Sequence, residues 1–219
     1  LGPIISSEPC YALDRKCKVP HTILPYPIGV ENTDNFVMEA AAISGIGTVP
    51  ESIEIERGRL IDIMIDSHQN YAGMKAAIYG DPDTVLGLMS FVLELGMIPK
   101  YCITGSSTEK FDGAAKKLLE KYGITGSKVK FSADLFELHQ WIKQEPVDIL
   151  IGTTYGKQIA RAENIPFVRA GFPVLDRYVH SYMPIVGYKG AIRLLEMIAN
   201  ALMDHRDRTC NDEDFEIVM

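Results

Sequence analysis

Three short polar turns and four cysteines hold the residues of this 219-residue chain whose types and spacing could do chemistry. The first turn is Gly80-Asp81-Pro82-Asp83. Asp81 suits a helix N-cap, Pro82 the first helical position and Asp83 the first turn. Two carboxylates there suit the helix dipole and would repel a phosphate. No GxGxxG pattern accompanies them, so the turn counts against a dinucleotide site, and capping alone explains both acids. The second turn is Gly152-Thr153-Thr154-Tyr155-Gly156-Lys157. It approaches a P-loop, but its glycines stand one residue too close, and Gln158 occupies the place of the magnesium-binding Ser or Thr. Its hydroxyls, amides and lysine could cradle an anion; an ordinary glycine-rich turn accounts for it better. The third runs from Gly171-Phe172-Pro173 to Asp176-Arg177-Tyr178-Val179-His180. Acid, cation and imidazole lie close together there. No serine or cysteine nucleophile has a motif context, however. An Asp–Arg pair is more often structural, and His180 suits an interface equally well. We take these turns as one candidate strand-end pocket and assign no catalytic residue and no metal ligand. His68, after Asp66-Ser67, lacks a ligand partner at i+4. Cys10, Cys17, Cys102 and Cys210 form no CxxC pair and fit no zinc or ferredoxin spacing. They read as isolated thiols, with Cys102 in a core strand.

The turns need a scaffold. From Met74 onward, short apolar runs alternate with amphipathic helices. Strands are expected at 75–79, 100–104, 128–131, 147–151 and 166–170. Buried runs separated by helices predict an α/β, Rossmann-like fold: a doubly wound five-stranded parallel sheet with helices on both faces. Ligands in such folds bind at the C-terminal strand ends, where all three turns fall. Phe111, Ala114, Ala115, Leu118, Leu119 and Tyr122 form a clean helical stripe closed by Gly123. Asp134 and Glu137 make a capping pair for the helix carrying Leu138, Trp141 and Ile142. The stretch 85–95 is apolar on nearly every side and should be heavily covered. A last helix is expected over 188–204.

The first seventy residues have no clear period. Pro20, Pro25 and Pro27 predict an extended segment. Asn32-Thr33-Asp34 offers an N-cap for a short helix over 36–43, and Pro50 opens a longer one to about Gln69. The organisation expected is an extended arm (1–30), connector helices (31–73), the α/β domain (74–206) and a polar tail (207–219). The arm and tail have no period of their own. Ile23, Tyr26, Phe215 and Ile217 are anchors by which they could join a homo-oligomer contact.

Composition narrows the functional classes. The net charge is −7 and the basic residues are scattered, which disfavours nucleic acid as a partner. No apolar run approaches the roughly 20 residues that span a bilayer, and the first residues lack a signal-peptide pattern, so a cytoplasmic protein is expected. The chain opens on Leu1, as a processed or excised piece would.

The stretches IEIERGRLIDIMIDSH, AIYGDPDTVLGLMSFVLELGMIPK, PVDILIGTTYGKQIA and FVRAGFPVLDRYVHSYMPIVGYKGAIRLLEMIANAL together resemble the nitrogenase component 1 family. They are closest to the C-terminal portion of its β-type subunits. The resemblance covers Pro20 to about Asp204, and Asp214-Phe215-Glu216 resembles a β-type terminus. It implies an ATP-driven, iron–sulfur-dependent, dinitrogen-reducing oxidoreductase. That complex would contain P-clusters and an iron–molybdenum-type cofactor. An α-type subunit, a second β-type subunit and a separate iron protein would be its partners. It further implies that the P-cluster ligands, three cysteines and a serine, lie in an N-terminal half outside these residues. The four cysteines here match none of them, so no cofactor is expected in this stretch. The family usually has several histidines after GFP-x-x-DR; here only His180 follows, which leaves the subunit type open. Two rival functions remain. One is a paralogue in the scaffold on which the nitrogenase cofactor is assembled. The other is an anion- or small-molecule-binding α/β module.

Overall fold

The structure, a computed structural model, describes residues 2–5 and 7–211. Five strands form one sheet: β1 (Lys75–Gly80), β2 (Ile98–Thr104), β3 (Lys128–Lys130), β4 (Ile149–Gly152) and β5 (Phe167–Arg169). Their order is β3-β2-β1-β4-β5, and every pairing is parallel. The doubly wound α/β fold expected from the sequence is the one that forms. Pleating sends Ala76 and Ile78 of β1 to one face and Ala77 and Tyr79 to the other. Helices α4 (Pro82–Glu94), α5 (Lys110–Lys121) and α8 (Gly187–Thr209) bury the first face. Helices α6 (Leu135–Gln144) and α7 (Lys157–Ala162) bury the second. Central β4 is buried throughout, whereas rim strand β3 is Lys-Val-Lys with both lysines exposed, as suits a sheet edge. Because the sheet is parallel, Gly80, Gly152 and the Gly171 that follows β5 share one edge.

Helix α4 is covered as its composition requires, with eleven of its thirteen residues buried. Part of the cover comes from the arm, whose Ile28 is fully buried and whose Tyr26 packs on the same core. Connector helices α2 (Val30–Ser44) and α3 (Glu51–Ser67) extend that core through Leu60. They are tied to α8 by Asp34, which accepts from Arg57 Nε at 2.9 Å and from the Tyr188 hydroxyl at 2.6 Å.

Three elements differ from expectation. Residues in the arm, expected to be extended, form helix α1 (Ser7–Cys17), with Glu8 in its first turn and Arg15 and Lys16 in its last, favourable to the helix dipole. Helix α2 starts at Val30, not after Asn32-Thr33-Asp34. The Thr33 hydroxyl instead donates back to the carbonyls of Pro27 and Gly29. The true cap of α2 is tertiary: the carboxylate of Glu94, at the end of α4, accepts from the amides of Val30 at 2.7 Å and Glu31 at 3.0 Å. Gly29, at φ 87°, lets it approach; a β-carbon there would lie 2.5 Å from the Glu94 carboxylate. Helix α8 continues to Thr209, five residues past Asp204 and into the stretch expected to be a polar tail without a period of its own. The tail anchors Phe215 and Ile217 lie outside the described residues.

Candidate functional site

At the C-terminal edge of the sheet the chain closes its polar groups on one another. Tyr79, last but one in β1, is buried. Its hydroxyl donates to the Thr153 carbonyl and accepts the Gly156 amide at 2.7 Å. Burial pushes this phenol up to about 12. A side chain at Gly152 or Gly156 would fall on the Tyr79 ring and hydroxyl, so both glycines of this turn are dictated by a tyrosine. The Gly156 amide is thereby engaged within the protein, and the Lys157 side chain stands in solvent.

The next residue layer joins the β4 turn to the loop after β5. Thr154 Oγ1 donates to Asp176 at 2.9 Å and accepts the Leu175 amide at 2.7 Å. Arg169, the last residue of β5, reaches Asp176 Oδ2 at 2.9 Å, and Arg177 donates to the Asp176 main-chain carbonyl at 2.6 Å. Hydrogen bonding from Arg169 is the chief reason that the Asp176 carboxyl is held down at about 2. The turns after β1 and β3 cap helices. Asp81 accepts the Asp83 amide and the Thr84 hydroxyl, and Asp134 accepts the Glu137 amide at 2.8 Å.

The candidate residues therefore separate. Gly80, Asp81, Thr153 and Tyr155 line a cavity of about 380 Å³ with Tyr79, Asp134 and Phe172. Gly171 lies beside it against Thr84 and Thr153. Arg177 and His180 line a second cavity, of about 350 Å³, with Arg169 and Arg193. Gly152, Thr154, Gly156 and Asp176 form the hydrogen-bonded and close-packed wall between β4 and the β5 loop. Asp83 joins neither cavity. Its buried carboxylate accepts the amides of Ile4 at 2.9 Å and Ile5 at 3.0 Å, clamping the start of the arm. Sequence reasoning missed Tyr79, Asp134, Phe172, Arg169 and Arg193 as wall residues. Asp134 carried a signal in its capping pattern and Phe172 lay within the third turn; Tyr79, Arg169 and Arg193 have no motif.

This edge, its loops and the sheet order find their match in known proteins. The family described as nitrogenase component 1 type oxidoreductase matches residues 1–203. The chain belongs to the nitrogenase component 1 family. It is 54% identical over 218 residues to the nitrogenase molybdenum-iron protein beta chain of Clostridium pasteurianum, covering 100% of this chain and 47% of that one. Against the namesake chain of Rippkaea orientalis it is 43% identical over 204 residues, covering 88% and 39%. Among solved structures, "Nitrogenase Cp1 at pH 6.5" superposes with a TM-score of 0.92 at 55% identity, covering 95% of this chain and 45% of that one. A chain of "Nitrogenase Cp1 at pH 5" superposes at 0.67 with 13% identity, a likeness of fold alone. The chain thus matches a portion of a component 1 β-type subunit and spans less than half the length of these relatives.

The cysteines do not suit the clusters that component 1 implies. Cys102 is wholly buried in β2, where burial pushes its thiol well up, and Cys10, Cys17 and Cys210 are unpaired thiols. Among the described residues no three His, Cys, Asp or Glu side chains converge to hold a metal. No described helix is long and apolar enough to cross a membrane.

Proposed function

We propose that this chain is the C-terminal Rossmann-like portion of a nitrogenase component 1 β-type subunit, acting there as scaffold and interface. The whole enzyme would be a cytoplasmic, ATP-driven, dinitrogen-reducing oxidoreductase. Its P-cluster and iron–molybdenum-type cofactor would be held outside this stretch, and electrons would arrive from an iron protein. One observation carries the interface role. The loop between β5 and α8 leaves Phe172 88%, Tyr178 100% and Tyr182 85% exposed, with Leu175 at 71%. Large apolar side chains clustered in one loop mark a surface that another chain or domain covers. On a different face, Met38 and Ile43 of α2 and Ile55 and Ile65 of α3 are also exposed. We assign the first surface to the rest of the β-type subunit and the α-type subunit. The second we assign to another β-type subunit. The end of the arm packs Tyr26 and Ile28 on its own core, while Tyr11 and Leu13 of α1 stay exposed and open to such a contact.

A chimaera tests this reading. This chain replaces the matching stretch of the Clostridium pasteurianum beta chain and is expressed with that organism's α-type subunit. A complex of native mass that reduces dinitrogen when supplied with iron protein and ATP is expected. A folded chimaera that assembles without reducing dinitrogen would favour the assembly-scaffold rival. One that does not assemble would overturn the proposal.

A further inference from the structure

The cavity between edge strand β5 and α8 is built unlike the rest of the surface. Its walls bring together Arg169, Arg177, His180 and Arg193 over an apolar floor that includes Phe167 and Met197. The three guanidiniums differ in how far they are engaged. Arg169 is held by Asp176 and lies over the Phe167 ring at 4.3 Å. Arg177 is anchored through one nitrogen to the Asp176 main chain, and half of its side chain remains exposed. Arg193 forms no ion pair with any described residue, and its buried Nε has no hydrogen-bond partner among them. A buried guanidinium N–H without an acceptor is costly, and native structures rarely leave one so. His180 stands beside it, held below the ordinary imidazole value first by burial and then by the Arg193 charge. The cavity's two acids, Glu196 and Asp204, follow Arg193 along α8, and both are exposed residues that make no ion pair with it.

We propose that this cavity is an oxyanion-binding site, in which Arg193 and Arg177 hold a small phosphate or carboxylate ligand and His180 makes a third contact. The guanidinium of Arg193 lines the cavity without an ion-pair partner among the described residues, and the fork of its terminal nitrogens would hold an anion with charge-assisted hydrogen bonds. The apolar floor admits the carbon skeleton of a carboxylate or phosphate ester. A bound anion would raise the His180 value, so binding tightens as the pH falls through it. The charges that face His180 are Arg193 from α8 and Asp176 from the loop. Arg169, Arg177, Glu196 and Asp204 share its cavity.

Isothermal titration of the chain with inorganic phosphate, and separately with malonate, tests the site. One saturable site is expected. Binding of phosphate alone would identify a phosphoryl ligand, and binding of both a general oxyanion site. Arg193→Met should weaken binding by about tenfold or more, consistent with loss of a charge-assisted contact. His180→Gln should keep binding but flatten its tightening as the pH falls below the ordinary imidazole value of 6.5. Glu196→Gln removes an exposed like charge from the rim and should tighten binding. This variant keeps the test decisive should Arg193→Met fail to fold. No saturable binding of either probe overturns the proposal, as does affinity unchanged in Arg193→Met or in Glu196→Gln.

Discussion

The turn after β4 and the loop after β5 leave the same edge of the sheet and use it in opposite ways. The β4 turn directs its polar groups inward. Tyr79 fills the space that Gly152 and Gly156 vacate, and its hydroxyl engages both a carbonyl and an amide of the turn. The β5 loop directs apolar groups outward, leaving Tyr178 and Tyr182 almost wholly exposed, and touches the scaffold chiefly through Asp176. One is a structural closure, so substitutions there should cost stability. The other is an exposed apolar surface that the proposed function assigns to a partner, so substitutions there should cost assembly.

The largest stability effect belongs to the closure. Gly152→Ala places a methyl on the Tyr79 ring. Overpacking of this kind costs about 1–3 kcal/mol or more, and the urea midpoint should fall accordingly. Tyr79→Phe comes next. It leaves the Gly156 amide without its partner at 2.7 Å, and a buried unsatisfied group costs about 1–3 kcal/mol by the same measurement. If either variant melts like the parent, the turn is not the closure described.

A smaller effect lies at the joint between the regions. The Asp176 carboxyl is held at about 2, against an ordinary 3.8. A depressed carboxyl stabilises the fold above its unfolded value and loses that contribution as the pH falls through the folded one. Stability should therefore decline between about pH 4 and about pH 2, and Asp176→Asn should reduce the slope there. The amount should stay within about 1 kcal/mol, as for other partly exposed ion pairs. Paired thermal scans of the two proteins across that window would show it. The smallest effect on stability belongs to the loop. Tyr178→Ser with Tyr182→Ser should move the unfolding free energy by no more than about 0.5 kcal/mol, since exposed side chains lose little when removed.

The sequence showed the scaffold better than the closure, for a physical reason. Strand bounds lie within two residues of expectation because buried parallel strands read as local apolar runs. The caps at Asp81 and Asp134 were legible because donor and acceptor lie two or three residues apart. The start of α2 was not, since its cap, Glu94, lies 64 residues beyond Val30. Tyr79 stood in plain view in a strand, but nothing local says that its ring reaches a turn 77 residues away at Gly156. Arg193 is hidden differently. It reads as one polar residue on an amphipathic helix, and only the fold sets it beside Arg177 and His180.

The interface role of the β5 loop is tested most directly by the mass of the assembled complex. A β-type subunit carrying Tyr178→Ser and Tyr182→Ser in this stretch is co-expressed with its α-type subunit and passed over a sizing column with light-scattering detection. A folded β-type subunit that elutes apart from the α-type subunit is the expected result. A complex of unchanged mass and unchanged dissociation on dilution would contradict the account.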